Sequence, residues 1–281
     1  MMEVLLAETA GFCFGVDRAV GMVEELLQAG KTPLYTYGPI IHNEQVVEDF
    51  AARGVRILKE ADLETAAPGT LVIRSHGISR AEQEKMEQGG FEVRDATCPF
   101  VKKIHRLVSR AGEEGRSVII TGDPSHPEVK AIVGWCEKEP YVIEKEEEIP
   151  DISPETPLLV VSQTTFHAEK LKKIVEKIKK RYYNALVVNT ICNATQMRQQ
   201  EAEELSARAD AMIVIGGSQS SNTKKLVDIC EAHCANTYFV QTPRDLNRLG
   251  FKPVRVVGIT AGASTPKNII EKAQNFVRVE F

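Results

Sequence analysis

No apolar run in the 281-residue sequence approaches the roughly 20 residues that a membrane-spanning helix needs. Basic charge is not in excess either: 35 Lys and Arg face 39 Asp and Glu, for a formal net charge of −4. That balance gives no electrostatic case for nucleic acid or an anionic membrane surface. The first residues carry Glu3 and Glu8 around only a short apolar run, which is not the pattern of a secretory signal peptide. Cysteine is sparse, at six residues. Without a secretion signal, those six point to a reducing cytosol, where thiols ligate metals or do chemistry. A cytoplasmic protein without nucleic-acid or membrane partners is expected. What is present is ordinary for a globular chain, 43% hydrophobic and 26% charged. Its length suffices for two or three small domains with real cores.

The scarce cysteines are placed with a period. Cys13, Cys98 and Cys192 each follow an apolar run that reads as a strand (VLLA, EVRDA, LVVNT) and open a stretch that reads as a helix. A polar loop position recurs 29, 28 and 28 residues later, at His42, His126 and Ser220, with Gly38, Gly122 and Gly216 four residues before it. A second strand and polar loop then follow, at His76, Thr164 and Ser264. Between the two loops each third carries a short β-rich piece: VRIL, YVIE and TYFV. Strands alternating with helical stretches such as NEQVVEDFAARG, HAEKLKKIVEKIKKRY and NTKKLVDICEAHC predict βαβ units and parallel sheets. The expected fold is α/β, with three similar modules in pseudo-threefold arrangement around a central iron–sulfur cluster. The modules would span 12–97, 98–191 and 192–281, the last completed by the N-terminal strand in 1–11. Functional groups in such sheets gather beyond the carboxyl ends of the strands, where all nine repeated positions fall.

Three thiolates from three modules, with no fourth repeated cysteine, are what a four-iron cluster needs if one iron is to stay open for substrate. Zinc would usually recruit closely paired ligands, and these cysteines stand 85 and 94 residues apart. A helix N-terminus favours the thiolate at each of them. Cys136 and Cys230 also fall into register, with Ala52 at the third position, and read as small packing sites. The run Cys230, His233, Cys234 has a helical spacing that could bind metal but reads as incidental. His42, His76 and His126, together with Ser220, Ser221, Asn222 and Ser264, form a donor set suited to a phosphate or diphosphate. It does so without the Lys-bearing loop of a P-loop site. Asn43, Ser125 and Ser221 are expected as N-caps that aim backbone N–H groups at that ligand. Glu128, two residues past His126, is either an ordinary first-turn Glu or an acid placed near a leaving oxygen, beside the hydroxyl of Thr164. His105 and His167 lie off the pattern and receive no role.

Taken in order, GFCFGV, YGPIIHN, RSHG, DATCP, SHPEV, SQTT, NTICNATQMRQ, GGSQSSNT and TAGAST resemble the 4-hydroxy-3-methylbut-2-enyl diphosphate reductase family across essentially the whole chain. That family supplies the last enzyme of the methylerythritol phosphate route to isoprenoids. Its fold is three α/β modules around a cluster. The resemblance implies a [4Fe-4S] cluster held by Cys13, Cys98 and Cys192, with one open iron that meets the substrate hydroxyl. It implies diphosphate binding by His42, His76, His126, Ser220, Ser221, Asn222 and Ser264. Glu128 would deliver a proton, and Thr164 would hydrogen-bond the hydroxyl and help relay it. The allylic diphosphate substrate and an electron donor protein such as ferredoxin or flavodoxin are the implied partners. One departure is TGDP before SHPEV, where other members often carry a more Gly-rich loop; no appended RNA-binding domain is expected. Two other classes are weighed against this one. A cluster-dependent dehydratase of the quinolinate synthase type would need no external electrons. An iron–sulfur sensor would need a DNA- or partner-binding surface that no basic or heptad segment supplies.

Overall fold

The computed structural model describes residues 2–252 and 254–280. In chain order its elements begin with β1 (Glu3–Leu6), α1 (Phe14–Gln28), β2 (Leu34–Tyr37), α2 (Glu44–Ala52), β3 (Arg56–Leu58), β4 (Thr70–Ile73), α3 (Arg80–Gln88) and β5 (Glu92–Asp95). There follow α4 (Pro99–Glu113), β6 (Ser117–Thr121), α5 (Pro127–Val133), β7 (Tyr141–Ile143), β8 (Leu158–Ser162), α6 (Ala168–Arg181) and β9 (Ala185–Val187). The last are α7 (Asn193–Ser206), β10 (Ala211–Ile215), α8 (Ser221–His233), β11 (Thr237–Val240), α9 (Asp245–Arg248), β12 (Val256–Ala261) and α10 (Lys267–Glu280).

Among the described residues twelve strands form three four-stranded sheets with one shared order: β3-β2-β4-β5, β7-β6-β8-β9 and β11-β10-β12-β1. Every pairing is parallel. The α/β class with small parallel sheets, predicted from the spacing, is the observed one. In each sheet the strand that precedes a cysteine lies at an edge, and β1 takes that place beside β12 although the whole chain separates them.

Central strands are apolar runs because helices cover both of their faces. In β10, Ala211, Ile213 and Ile215 enter one cluster with Val257, Ile259 and Ile270, while Met212 and Val214 enter another with Leu226 and Cys230. In β8, Leu158 and Val160 likewise pack with Ile174 and Ile178, and Leu159 and Val161 with Ile104 and Val108. This is the two-residue period of a strand dividing its side chains between two layers. By contacts the chain divides into two compact units. The first comprises residues 2–16, 42–46 and 193–280 and holds the sheet of β10 and β12. The second comprises 17–41 and 47–192 and holds the other two sheets.

Candidate active site

Each of the three repeated cysteines sits in the same local structure. The amide of Cys98 donates to Ser75 O (3.0 Å), that of Cys192 to Thr164 O (2.9 Å) and that of Cys13 to Ala263 O (3.2 Å). Each accepting carbonyl lies two residues past the end of the strand that pairs with the pre-cysteine edge strand of its sheet, β4, β8 or β12. A helix then starts one residue after each cysteine: α1 at Phe14, α4 at Pro99 and α7 at Asn193. Cys98 is itself the N-cap of α4, with Pro99 supplying the fixed φ of a first helical residue. All three cysteines are half-buried, whereas Cys230 and Cys234 are buried. Burial pushes the Cys136 and Cys230 thiols up to about 12; both stay protonated at neutral pH. His233 faces Glu203 at 3.7 Å, and the Cys234 thiol donates to Ala209 O. Those contacts turn the two side chains to other partners.

These amide bonds also correct a register. The sequence pattern set Thr164 beside His76 and Ser264 as the polar residue after the second strand. Counting from the strand ends aligns it with Ser75 and Ala263, so that Thr165 is the true counterpart of His76 and Ser264.

The second unit holds Cys98, Cys192, His76, His126, Glu128 and Thr164. His126 caps α5: its Nδ1 accepts from the Glu128 amide at 3.1 Å, which leaves Nε2 as the protonated nitrogen of a neutral ring. Ser125, expected as the cap, is instead turned to Asp123, whose Oδ1 accepts from its N–H and its hydroxyl (2.8 and 2.6 Å). That side-chain turn closes the TGDP stretch without added glycine. Gly122 is nonetheless required, since a Cβ there would lie 2.8 Å from Val129 and 2.9 Å from Gln163. The His76 and His126 rings meet edge to face, 5.3 Å between centroids. Glu128 is 2% exposed. Its two oxygens accept from the Thr164 amide (2.6 Å) and the Thr164 hydroxyl (2.7 Å). Thr164 therefore touches Glu128 with its donors and the Cys192 amide with its carbonyl. The sequence placed acid and hydroxyl near one another; the carbonyl link to Cys192 was not foreseen.

The first unit holds Cys13, His42, Ser220, Ser221, Asn222 and Ser264. Ser220, not Ser221, caps α8, accepting from the Thr223 amide (3.2 Å); with two adjacent serines the pattern alone cannot choose. Ser221 is the first helical residue and its hydroxyl accepts from Lys225 Nζ (3.1 Å). Asn43 caps α2 through its Oδ1 and the Val46 amide (3.1 Å). The Ser264 hydroxyl donates to His42 O (2.9 Å). A Cβ on Gly217 would stand 2.4 Å from that same oxygen, so the GGSQSSN loop lies directly on the His42 turn. Glu44, which sequence reasoning missed, clamps the pair by accepting from the Ser218 amide and hydroxyl (3.1 and 2.6 Å). Asn222 is 4% exposed, and neither end of its carboxamide has a hydrogen-bond partner among the described residues. An amide buried in that condition is open to a polar partner.

The model of the LytB protein family matches residues 4–278. The chain belongs to that family. A 4-hydroxy-3-methylbut-2-enyl diphosphate reductase from Caldanaerobacter subterraneus subsp. tengcongensis is 46% identical over 273 residues, covering 96% of this chain and 95% of that one. A relative of the same name from Geobacter sulfurreducens is 44% identical over 280 residues, 98% of each chain. Among solved structures, an (E)-4-hydroxy-3-methyl-but-2-enyl diphosphate reductase described as the terminal enzyme of the non-mevalonate pathway shares 40% identity, with a TM-score of 0.72 and 99% of both chains covered. The corresponding reductase from Plasmodium falciparum aligns with a TM-score of 0.91 at 30% identity, covering 98% of this chain and 87% of that one. These LytB matches favour the reductase over the dehydratase and sensor readings.

Proposed function

We propose that this LytB protein reduces (E)-4-hydroxy-3-methylbut-2-enyl diphosphate to isopentenyl and dimethylallyl diphosphate, with loss of water. The observation that carries the reading is the buried Glu128 bound twice by Thr164, whose carbonyl holds the amide of Cys192. An acid for a departing hydroxyl is thereby tied to a residue of the cysteine set.

The donor chemistry fits an iron–sulfur cluster. Cys13, Cys98 and Cys192 each precede a helix start, where free N–H groups and the peptide dipole favour a thiolate. When bound by these three, a [4Fe-4S] cluster supplies electrons and one open iron as a Lewis acid for the allylic oxygen. The rest falls to the chain. Asn222 offers Nδ2–H to a phosphate oxygen, and His126 offers Nε2–H. His42, His76, Ser220, Ser221 and Ser264 complete the diphosphate site in this reading. Gripping the diphosphate fixes the short carbon chain, so that remote binding is spent on orientation. Glu128 gives its proton to the leaving oxygen, and Thr164 holds the hydroxyl and relays. Two electrons and two protons replace the allylic C–OH bond by a C–H bond and release water; the second proton comes from the substrate's own diphosphate. Ferredoxin or flavodoxin is the proposed donor, and the cytoplasm the proposed location. Among the described residues no helix is long and apolar enough to cross a membrane. The shared strand order of the three sheets supports reading them as modules 12–97, 98–191 and 192–281 with 1–11; positions 1 and 281 lie outside the described residues.

Glu128→Gln tests the assignment. Anaerobic turnover with a chemical reductant is expected to fall about 10²- to 10⁴-fold, with iron content and substrate binding kept. Near-full activity would remove Glu128 from the reaction, and turnover without any reductant would restore the dehydratase.

A further inference from the structure

Two arginines outside the proposed reaction machinery make the same kind of contact. Arg18 lies five residues after Cys13, on α1. Its Nη1 donates to Thr97 O (3.2 Å) and its Nη2 to Asp95 O (3.1 Å). Those carbonyls are one and three residues before Cys98. Arg198 lies six residues after Cys192, on α7. Its Nη2 donates to Gly11 O (2.6 Å) and its Nη1 to Ala194 O (3.0 Å). Gly11 stands two residues before Cys13 and has φ +110°, a conformation that an L side chain rarely adopts. Arg198 is 4% exposed. Burying a guanidinium is costly unless its donors are used, and here one arm goes to the backbone that leads to Cys13 and the other to Ala194 of its own helix.

The loop before Cys192 is held differently. Thr190 Oγ1 donates to Ser162 O (2.6 Å) and accepts from the Ser162 amide (2.7 Å). Asn189 Oδ1 accepts from the Ile191 amide (3.0 Å). Five and six residues after Cys98 stand Lys103 and the fully buried Ile104, so the pattern is not repeated a third time there.

We infer that Arg18 and Arg198 are positioning residues for the cysteine ligands. Each reaches from the helix opened by one cysteine to the carbonyls that deliver another, Arg18 setting Cys98 and Arg198 setting Cys13. Cys192 is set from within its own sheet. The fork geometry matters for Arg18, since two carbonyls two residues apart take two parallel donors that a lysine cannot supply. The inference rests on the three cysteines serving together as cluster ligands.

Site-resolved thiol alkylation of the full-length chain, before cluster reconstitution, tests it by mass spectrometry. Arg18→Gln is expected to speed alkylation of Cys98 about tenfold, the effect of one lost charged hydrogen bond on a local opening, and to leave Cys13 and Cys192 unchanged. Arg198→Gln is expected to speed Cys13 alone. Removing a cation without releasing a loop would slow alkylation, because the thiolate is less favoured; that sign would overturn the proposal. Uniform acceleration that includes buried Cys230 and Cys234 would also overturn it, as would no change. Should Arg198→Gln fail to fold, Arg18→Lys keeps the charge but lacks the second arm, and carries the Cys98-selective expectation. After reconstitution, both variants are expected to lose iron to a chelator faster than the parent protein and to change the line shape of the reduced cluster's paramagnetic resonance. Iron content of the parent protein reads the ligand assignment separately: an iron-free parent sinks that assignment, whereas a wrong alkylation pattern sinks only the braces.

Discussion

His105 lies flat against Trp135, with 5.3 Å between ring centroids and 14° between planes. It is 6% exposed, and its Nε2 has no hydrogen-bond partner among the described residues. Loss of hydration on burial pulls its pKa down to about 4, only partly opposed by the nearby Asp95 carboxylate. Unfolding restores the ordinary value near 6.5. Between about pH 6.5 and 4 the unfolded chain therefore binds more protons, and stability falls as pH drops through that window. The loss from this one ring is on the order of 3 kcal/mol. His105→Phe is expected to shrink the acid-induced loss by that amount. Urea unfolding at pH 7 and pH 4.5, followed through Trp135, the one tryptophan of the sequence, reads it. An identical acid limb in the variant would mean that the folded protein accepts the proton without cost. Nothing in the spacing of the histidines announces this behaviour, because it comes from the aromatic lid and not from the repeat.

Thr223, in the first turn of α8, is seated between two strand ends by two glycines. A Cβ at Gly216, past β10, would lie 2.4 Å from the Thr223 hydroxyl oxygen, and one at Gly262, past β12, 2.0 Å from it. Gly262→Ala is expected to destabilise by about 1–3 kcal/mol, the cost of overpacking, and to weaken diphosphate binding by shifting Ser220 and Asn222. Thr223→Ala removes the clashing atoms. Its hydroxyl has no hydrogen-bond partner among the described residues, and the Ser220 cap uses only its amide. The double variant is thus expected to recover most of the loss; thermal unfolding of the four proteins forms the cycle, and strictly additive costs would place the strain elsewhere. The recurrence of Gly38, Gly122 and Gly216 was visible in the sequence, but their reasons were not. Gly38 has φ +68°, whereas Gly122 and Gly216 yield space to a helix turn. The caps slipped by one residue for a related reason. Ser125 and Ser221 are good cap types, but His126 captures an amide with its ring nitrogen, and Ser220 stands first of two equals.

Parallel pairing was readable because the central strands are apolar runs that precede polar loops, and the closing of β1 onto β12 followed from the repeat. The convergence of Arg18 and Arg198 on other cysteines' loops was not, since a contact between residues 77 or 187 apart leaves no local pattern. Each sheet carries its own apolar core: Tyr35, Leu71 and Met86 around β2 and β4, Ile119 and Val160 in the next, Ile213 and Ile259 in the last. The cores do not require the cysteines. Metal-dependent folding belongs to domains too small to bury enough surface, and that condition is not met here. With the proposed cluster bound, removing its iron is therefore expected to abolish turnover and visible absorption while leaving far-ultraviolet circular dichroism and a cooperative unfolding transition. Cys192→Ser is expected to do the same, because the Thr164 carbonyl that receives its amide is indifferent to the side chain. A chain that lost its secondary structure together with its iron would show instead that the cluster is part of the core, and the cysteine loops would have to be counted among the elements that hold the sheets.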